Sequence, residues 1–164
     1  WPVKEKYKET WKVLEDLYRQ GLVRAIGVSN FNIHHLEDLQ ADAQIKPMVN
    51  QVELHPFLTQ PELRDYCKKQ EIQIEAWSPL GRGRLLDHPV LKEIGANHNK
   101  STAQVILRWD LQNRIVTIPK SITESRIIEN ASIFDFALTE SEMGKINDLN
   151  ENRRFGTDPD NFDY

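Results

Sequence analysis

Apolar positions along this chain recur at two periods. Over 7–20, Tyr7, Trp11, Leu14, Leu17 and Tyr18 fall mostly three and four residues apart, which places them on one helical face. Gly21 follows where a helix closes in a left-handed cap. The run over 22–28, Leu-Val-Arg-Ala-Ile-Gly-Val, then reads as a short, largely buried strand. The alternation continues. Helices are predicted over 33–39, 60–70, 101–112, 125–133 and 139–149, and strands over 48–54, 72–77 and 115–118. The first three strands begin about 25 residues apart, close to one compact βα unit. Residues 80–98 read as an extra loop before the last strand.

Helices alternating with strands predict an α/β fold with a parallel sheet. Such sheets are either open and doubly wound or closed into an eight-stranded barrel of about 250 residues. Four predicted strands are half of a barrel's eight. The whole of 1–164 is read as a single, partial domain.

The chain has 164 residues, 39% hydrophobic and 28% charged, a globular profile with material for one core. The formal net charge of −4 and the lack of a Lys/Arg block argue against a broad nucleic-acid surface. No apolar run approaches the roughly 20 residues that span a bilayer. One cysteine, Cys67, cannot form an internal disulfide, and a reducing cytoplasm is the simplest location. It shares a helical face with Leu63 and reads as packing. None of the five histidines stands at a recognisable metal-ligand spacing from Cys, Asp or Glu. No metal site is expected, and no nucleophile motif is present.

Chemistry-bearing residues collect at the strand ends, which share one face in a parallel sheet. The first strand leads into Ser29-Asn30-Phe31, and the second holds Asn50, Gln51 and Glu53. The third runs into Trp77-Ser78-Pro79-Leu80, and the fourth into Pro119-Lys120-Ser121. Amides and hydroxyls both donate and accept, which suits a carboxamide-bearing ring, and Trp77 offers a flat stacking platform. The same Asn and Ser residues also suit turns, helix caps or buried structural hydrogen bonds. Lys120, Ser121 and Arg126 sit at a helix start, where backbone N–H groups and the dipole favour a phosphate. A helix start carrying a solvated Lys and Arg fits that spacing equally well. Gly81-Arg82-Gly83-Arg84 is neither a P-loop nor a dinucleotide fingerprint. A loop approaching a pyrophosphate and a plain hinge are both open for it.

Taken together, GLVRAIGVSNF (21–31), NQVELHP (50–56), AWSPLG (76–81), IPKS (118–121) and Arg126-Ile127-x-Glu129-Asn130 resemble the aldo-keto reductases. The motifs stand in the family's order over nearly the whole chain. The ending NENRRFGTDPDNFDY (150–164) is similar to bacterial members with a short final loop. The resemblance implies a (β/α)8 TIM barrel, of which this chain covers about four C-terminal βα units plus a last helix and tail. It implies an oxidoreductase that reduces aldehydes and ketones with NADPH. Ser29, Asn30 and Gln51 would hold the nicotinamide carboxamide, and Trp77 would stack on its ring. Ser78 and Leu80, with the glycine-rich loop, would lie along the pyrophosphate. Lys120, Ser121 and Arg126 would take the 2′-phosphate, and Glu129 and Asn130 the adenine.

The family's catalytic Asp, Tyr, Lys and His come from the first half of its barrel, the His directly before a Trp-Pro-like sequence. Here Trp1-Pro2 opens the chain, so no catalytic residue is expected within it, and the chain alone is expected to be inactive. As a half-barrel it would expose two strand edges, near Val23 and near Val116. Its partners would be a carbonyl substrate and either a complementary half-barrel or a second copy. The alternative function is a non-catalytic nucleotide-binding or scaffold module that self-associates.

Overall fold

The computed structural model describes residues 1–3 and 6–161. The last three positions of the family-like tail, 162–164, lie outside the described residues. Contacts divide the chain into two compact units. One comprises Trp1–Val52, Pro61–Glu75 and Thr157–Tyr164, and the other Glu53–Gln60 and Ala76–Gly156. The strands follow chain order, β1-β2-β3-β4, the arrangement expected of successive βα units in a parallel sheet.

The first unit begins with helix α1 (Tyr7–Arg19). Trp11 is buried at 2% exposure on its inner face, and its indole N–H donates to the Ile45 carbonyl at 2.9 Å. Glu15, one turn on, is also buried. Its carboxylate accepts the backbone N–H groups of Gln44 (2.8 Å) and Ile45 (2.9 Å) and a bond from Arg19 (3.1 Å). That anchors the turn leading into the second strand. Gly21 has φ +70, so the predicted left-handed close of α1 is present. Strand β1 (Gly27–Ser29), helix α2 (Ile33–Asp42), strand β2 (Val49–Glu53), helix α3 (Pro61–Lys69) and strand β3 (Gln73–Trp77) follow. β1 and β2 pair in parallel from Gly27↔Val49 to Ser29↔Gln51. Phe31, Leu36, Leu39, Val52, Cys67 and Ile74 are buried.

The predicted first strand is corrected here. Residues 22–25 are exposed and lie outside any strand. The ladder starts only where Met48 N–H reaches the Ile26 carbonyl, because a strand exists where a partner backbone runs beside it. The first edge strand is therefore β1, and Val23 is not on it.

The second unit holds helices α4 (Pro89–His98) and α5 (Thr102–Gln112), strand β4 (Val116–Thr117), which packs against α5, and helices α6 (Glu124–Ala131) and α7 (Glu140–Asn147). Ser101 caps α5 by accepting from Gln104 N–H, and Ser101 N–H in turn donates to the Gln104 side-chain oxygen. Leu91, Ile94, Val105, Ile106, Leu107, Trp109 and Ile146 are buried at 1% exposure or less. Trp109 ties α5 to α7 through its indole N–H and Asn147 (2.9 Å). The predicted loop over 80–98 is a second correction. It contains a short 3-10 turn (Gly81–Gly83) and the whole of α4, which opens on Pro89 and closes on Asn99 in the left-handed conformation. Among the described residues, no helix is long and apolar enough to cross a membrane.

Candidate functional site

In the first unit the β1 end and β2 bring Ser29, Asn30 and Gln51 together. Asn30 has φ 60, a left-handed backbone that asparagine tolerates. Its N–H donates to the Gln51 carbonyl at 2.8 Å, and the Ser29 hydroxyl donates to the same carbonyl at 3.0 Å. The Asn30 amide in turn donates to the Ser29 hydroxyl at 3.2 Å. Asn50, the other strand amide, is structural. It is fully buried and exchanges hydrogen bonds with the Phe31 backbone, donating at 2.8 Å and accepting at 3.4 Å. Asn50 thus closes the loop, while Gln51 is half-buried. Ser29 and Gln51 line a cavity of about 620 Å³ together with Glu75 of β3. Gln51 donates its amide to Glu75 at 2.5 Å.

In the second unit a cavity of about 650 Å³ collects most of the remaining residues. Ser78 and Leu80 line it after β3. Lys120, Ser121 and Arg126 line it after β4, and Glu129 and Asn130 reach it from α6. The volume suits a small-molecule or cofactor site. Ser121 organises the turn into α6, its hydroxyl accepting Thr123 N–H at 3.1 Å. Lys120 and Arg126 are exposed and have no acidic partner among the described residues. The stretch 81–84 reaches the same cavity through Arg82 and Gly83. It is a turn with Arg82 at φ 56 and Gly83 at φ +84. It sends Arg82 to the cavity and Arg84 over the Phe155 ring, 4.8 Å from its centroid.

Trp77 does not line that cavity. It is half-buried against the C-terminal segment, and a Cβ at Gly156 would lie 2.4 Å from its Cη2. Glu53, fully buried, fixes that segment. It accepts Phe155 N–H at 2.8 Å and Gly156 N–H at 3.1 Å, and its Oε1 lies 3.2 Å from Nε2 of His55. Burial pushes the Glu53 pKa up. The bonds from His55, Phe155 and Gly156 outweigh it and hold the carboxyl below its ordinary 4.5. His55 stacks on Phe155 (centroids 4.9 Å), and its Nδ1 is buried with no partner among the described residues.

Sequence reading missed the roles of Glu53, His55, Gly156 and Glu75. For Glu75 a signal was present: Ile72 and Ile74 alternate with Gln73 and Glu75, which puts a carboxylate on the polar face of a strand. Among the described residues, His34, His35 and Asp160 cluster within metal-ligand reach. However, His35 Nδ1 accepts Asn32 N–H at 3.1 Å, so a neutral His35 carries its proton on Nε2, the nitrogen facing Asp160. In that tautomer Nδ1 is taken up by the backbone and Nε2, 3.7 Å from the Asp160 oxygen, is protonated, so neutral His35 has no ring lone pair free for an ion. Cys67 is fully buried, and burial pushes its thiol up to about 11 against a smaller opposing bond from Asn50.

The chain matches the model of the "Aldo/keto reductase family" over residues 1–151. It is 67% identical over 160 residues to a glyoxal reductase of Bacillus subtilis, covering 98% of this chain and 58% of that protein. It is 65% identical over 164 residues to the uncharacterized oxidoreductase YtbE of the same organism, covering 100% of this chain and 59% of that protein. The chain thus spans just under three fifths of these curated relatives. A crystal structure of a Gox0644 variant in complex with NADPH superposes with a TM-score of 0.96. It is 40% identical, and the match covers 100% of this chain and 62% of that one.

Proposed function

The chain belongs to the aldo/keto reductase family, and we propose that it is the cofactor-holding, C-terminal half of a bacterial-type reductase barrel that reduces aldehydes or ketones to alcohols with NADPH. One observation carries this reading. Two cations, Lys120 and Arg126, face one cavity without an acidic partner among the described residues, while the chain as a whole is acidic. Such a pair suits a phosphate monoester, which distinguishes NADPH from NADH. Ser121 shapes the turn beneath the phosphate, and Glu129 and Asn130 offer acceptors and a donor to the adenine. Ser78 and Leu80 line the path of the pyrophosphate.

In the first unit, Ser29, Asn30 and Gln51 present hydroxyl and amide groups to a carboxamide. In the second, Trp77 supplies a flat face for the ring, held from behind by Gly156. Bound NADPH supplies the hydride that such a reduction needs. No residue of this chain matches the family's catalytic Asp, Tyr, Lys and His, so the proton to the carbonyl oxygen is assigned to other parts of the barrel. A small carbonyl compound is the substrate, in keeping with the glyoxal reductase among the relatives. A reducing cytoplasm fits the free, buried Cys67.

Titration of the protein with NADPH and with NADH, followed by quenching of tryptophan fluorescence, tests the reading. Tighter binding of NADPH is expected. Equal binding of the two, or none, overturns it.

A second reading rests on exposed apolar groups. Val116 (44%) on β4 and Ile118 (43%) just after it are exposed, and Ile122 is 86% exposed. On that reading the chain self-associates as a non-catalytic module. Light scattering of the isolated chain separates the two, since a monomer is incompatible with the second.

A further inference from the structure

Glu75 has no place in the reading above, although it lines the same cavity as Ser29 and Gln51. It is half-buried, and no cation pairs with it among the described residues. Its only hydrogen bond among them is the one it accepts from Gln51 Nε2 at 2.5 Å. A carboxylate only accepts, so the end of the Gln51 amide that faces Glu75 must be the NH2 end. The amide oxygen, Gln51 Oε1, is thereby turned away from Glu75, and it accepts no bond among the described residues. An amide without such a neighbour can flip and offer either end to a ligand. This one cannot.

We propose that Glu75 is a positioning residue that locks the Gln51 amide with its oxygen toward the bound ring, so that the site accepts a nicotinamide carboxamide and rejects a nicotinic acid carboxylate. The proposal rests on the cofactor role assigned to Gln51. A carboxamide meets the locked oxygen with its own NH2. A carboxylate has no donor to offer, and it also meets the Glu75 charge.

The test uses the full-length protein and two ligands that differ at this group alone, NADP+ and nicotinic acid adenine dinucleotide phosphate. Affinities are measured by isothermal titration calorimetry. The unmodified protein is expected to bind the acid about 10–100-fold more weakly than NADP+, the range for an unsatisfied hydrogen bond to a charged group. Glu75→Gln frees Gln51 to flip and should narrow the ratio to about threefold. Removing the charge could narrow it by itself, so the comparison is repeated with Gln51→Met in the background. There the effect of Glu75→Gln should be much smaller.

A ratio unchanged by Glu75→Gln overturns the proposal, as does an equal narrowing in the Gln51→Met background. If Glu75→Gln does not fold by circular dichroism, Glu75→Asp takes its place. It keeps the charge but shortens the reach to Gln51, so the ratio should still narrow, and a failure to narrow overturns the proposal. NADP+ binding that stays intact while the ratio fails to move sinks only the role of Glu75. Absence of NADP(H) binding in the unmodified protein sinks the cofactor reading and this proposal with it.

Discussion

Replacing Glu53 by Gln tests whether a single carboxylate holds the C-terminal segment. The carboxylate collects three donors, Phe155 N–H, Gly156 N–H and the His55 ring, with no solvent access. Bonds to a charged group are worth about 1.5–3 kcal/mol each and neutral ones about 0.5–1.5. A glutamine can keep its oxygen where Oε1 stands, 2.8 Å from Phe155 N and 3.1 Å from Gly156 N. Its NH2 then replaces Oε2, which also accepts Gly156 N–H at 3.1 Å, and sets donor against donor. The expected loss at pH 7 is about 3–4 kcal/mol, a large share of the roughly 5–15 kcal/mol that holds a domain folded.

Urea denaturation of the two proteins reads this loss directly. The pH dependence carries the sign. The folded-state pKa of Glu53 is depressed below 4.5, so its stabilisation is complete above the unfolded value. It is lost as pH falls through the folded one. The difference between the two proteins should therefore shrink below about pH 4.5. A difference under about 0.5 kcal/mol at pH 7, or one that stays constant into acid, refutes the account.

Three further outcomes are expected. Lys120→Ala and Arg126→Ala should each weaken NADPH by about 10–100-fold, the worth of one charge-assisted contact, and leave NADH binding unchanged; equal losses for both cofactors would sink the phosphate assignment. Gly156→Ala places a Cβ 2.4 Å from Trp77 Cη2, so the indole or the segment must shift; tryptophan emission should move, and unchanged emission with unchanged NADPH affinity would count against Gly156 as the backing of Trp77. Cys67, buried and with its thiol pushed up to about 11, should resist alkylation at pH 8 until denaturant is added, as followed by mass spectrometry.

The parts of the fold legible in the sequence are those set by local periodicity. The spacing of Trp11 and Leu14, and of Val105, Ile106 and Trp109, located α1 and α5 to within a residue or two. Helix α4 was hidden because Gly95 interrupts its pattern and His88 is not a usual cap. The run 22–26 looked like a strand because apolar content alone does not say where a partner backbone begins. Nor could periodicity find the clasp on Trp77. Glu53 and Phe155 are 102 residues apart, and nothing local to either position announces the other.

The proposed phosphate end rests on how Lys120 and Arg126 compare with other cations of the chain. A lysine and an arginine near a helix start are ordinarily solvated, and many cations of this chain take neighbouring acids as partners. Lys8 bridges Asp38 and Asp42, Lys46 meets Glu71, Lys100 meets Asp135, and Lys145 meets Glu93. Acidic residues outnumber basic ones, 25 to 21. Lys120 and Arg126 have none among the described residues, and both line one cavity. On the reading proposed above, two cations that make no ion pair and line a common space are placed for an anion that the chain itself does not supply.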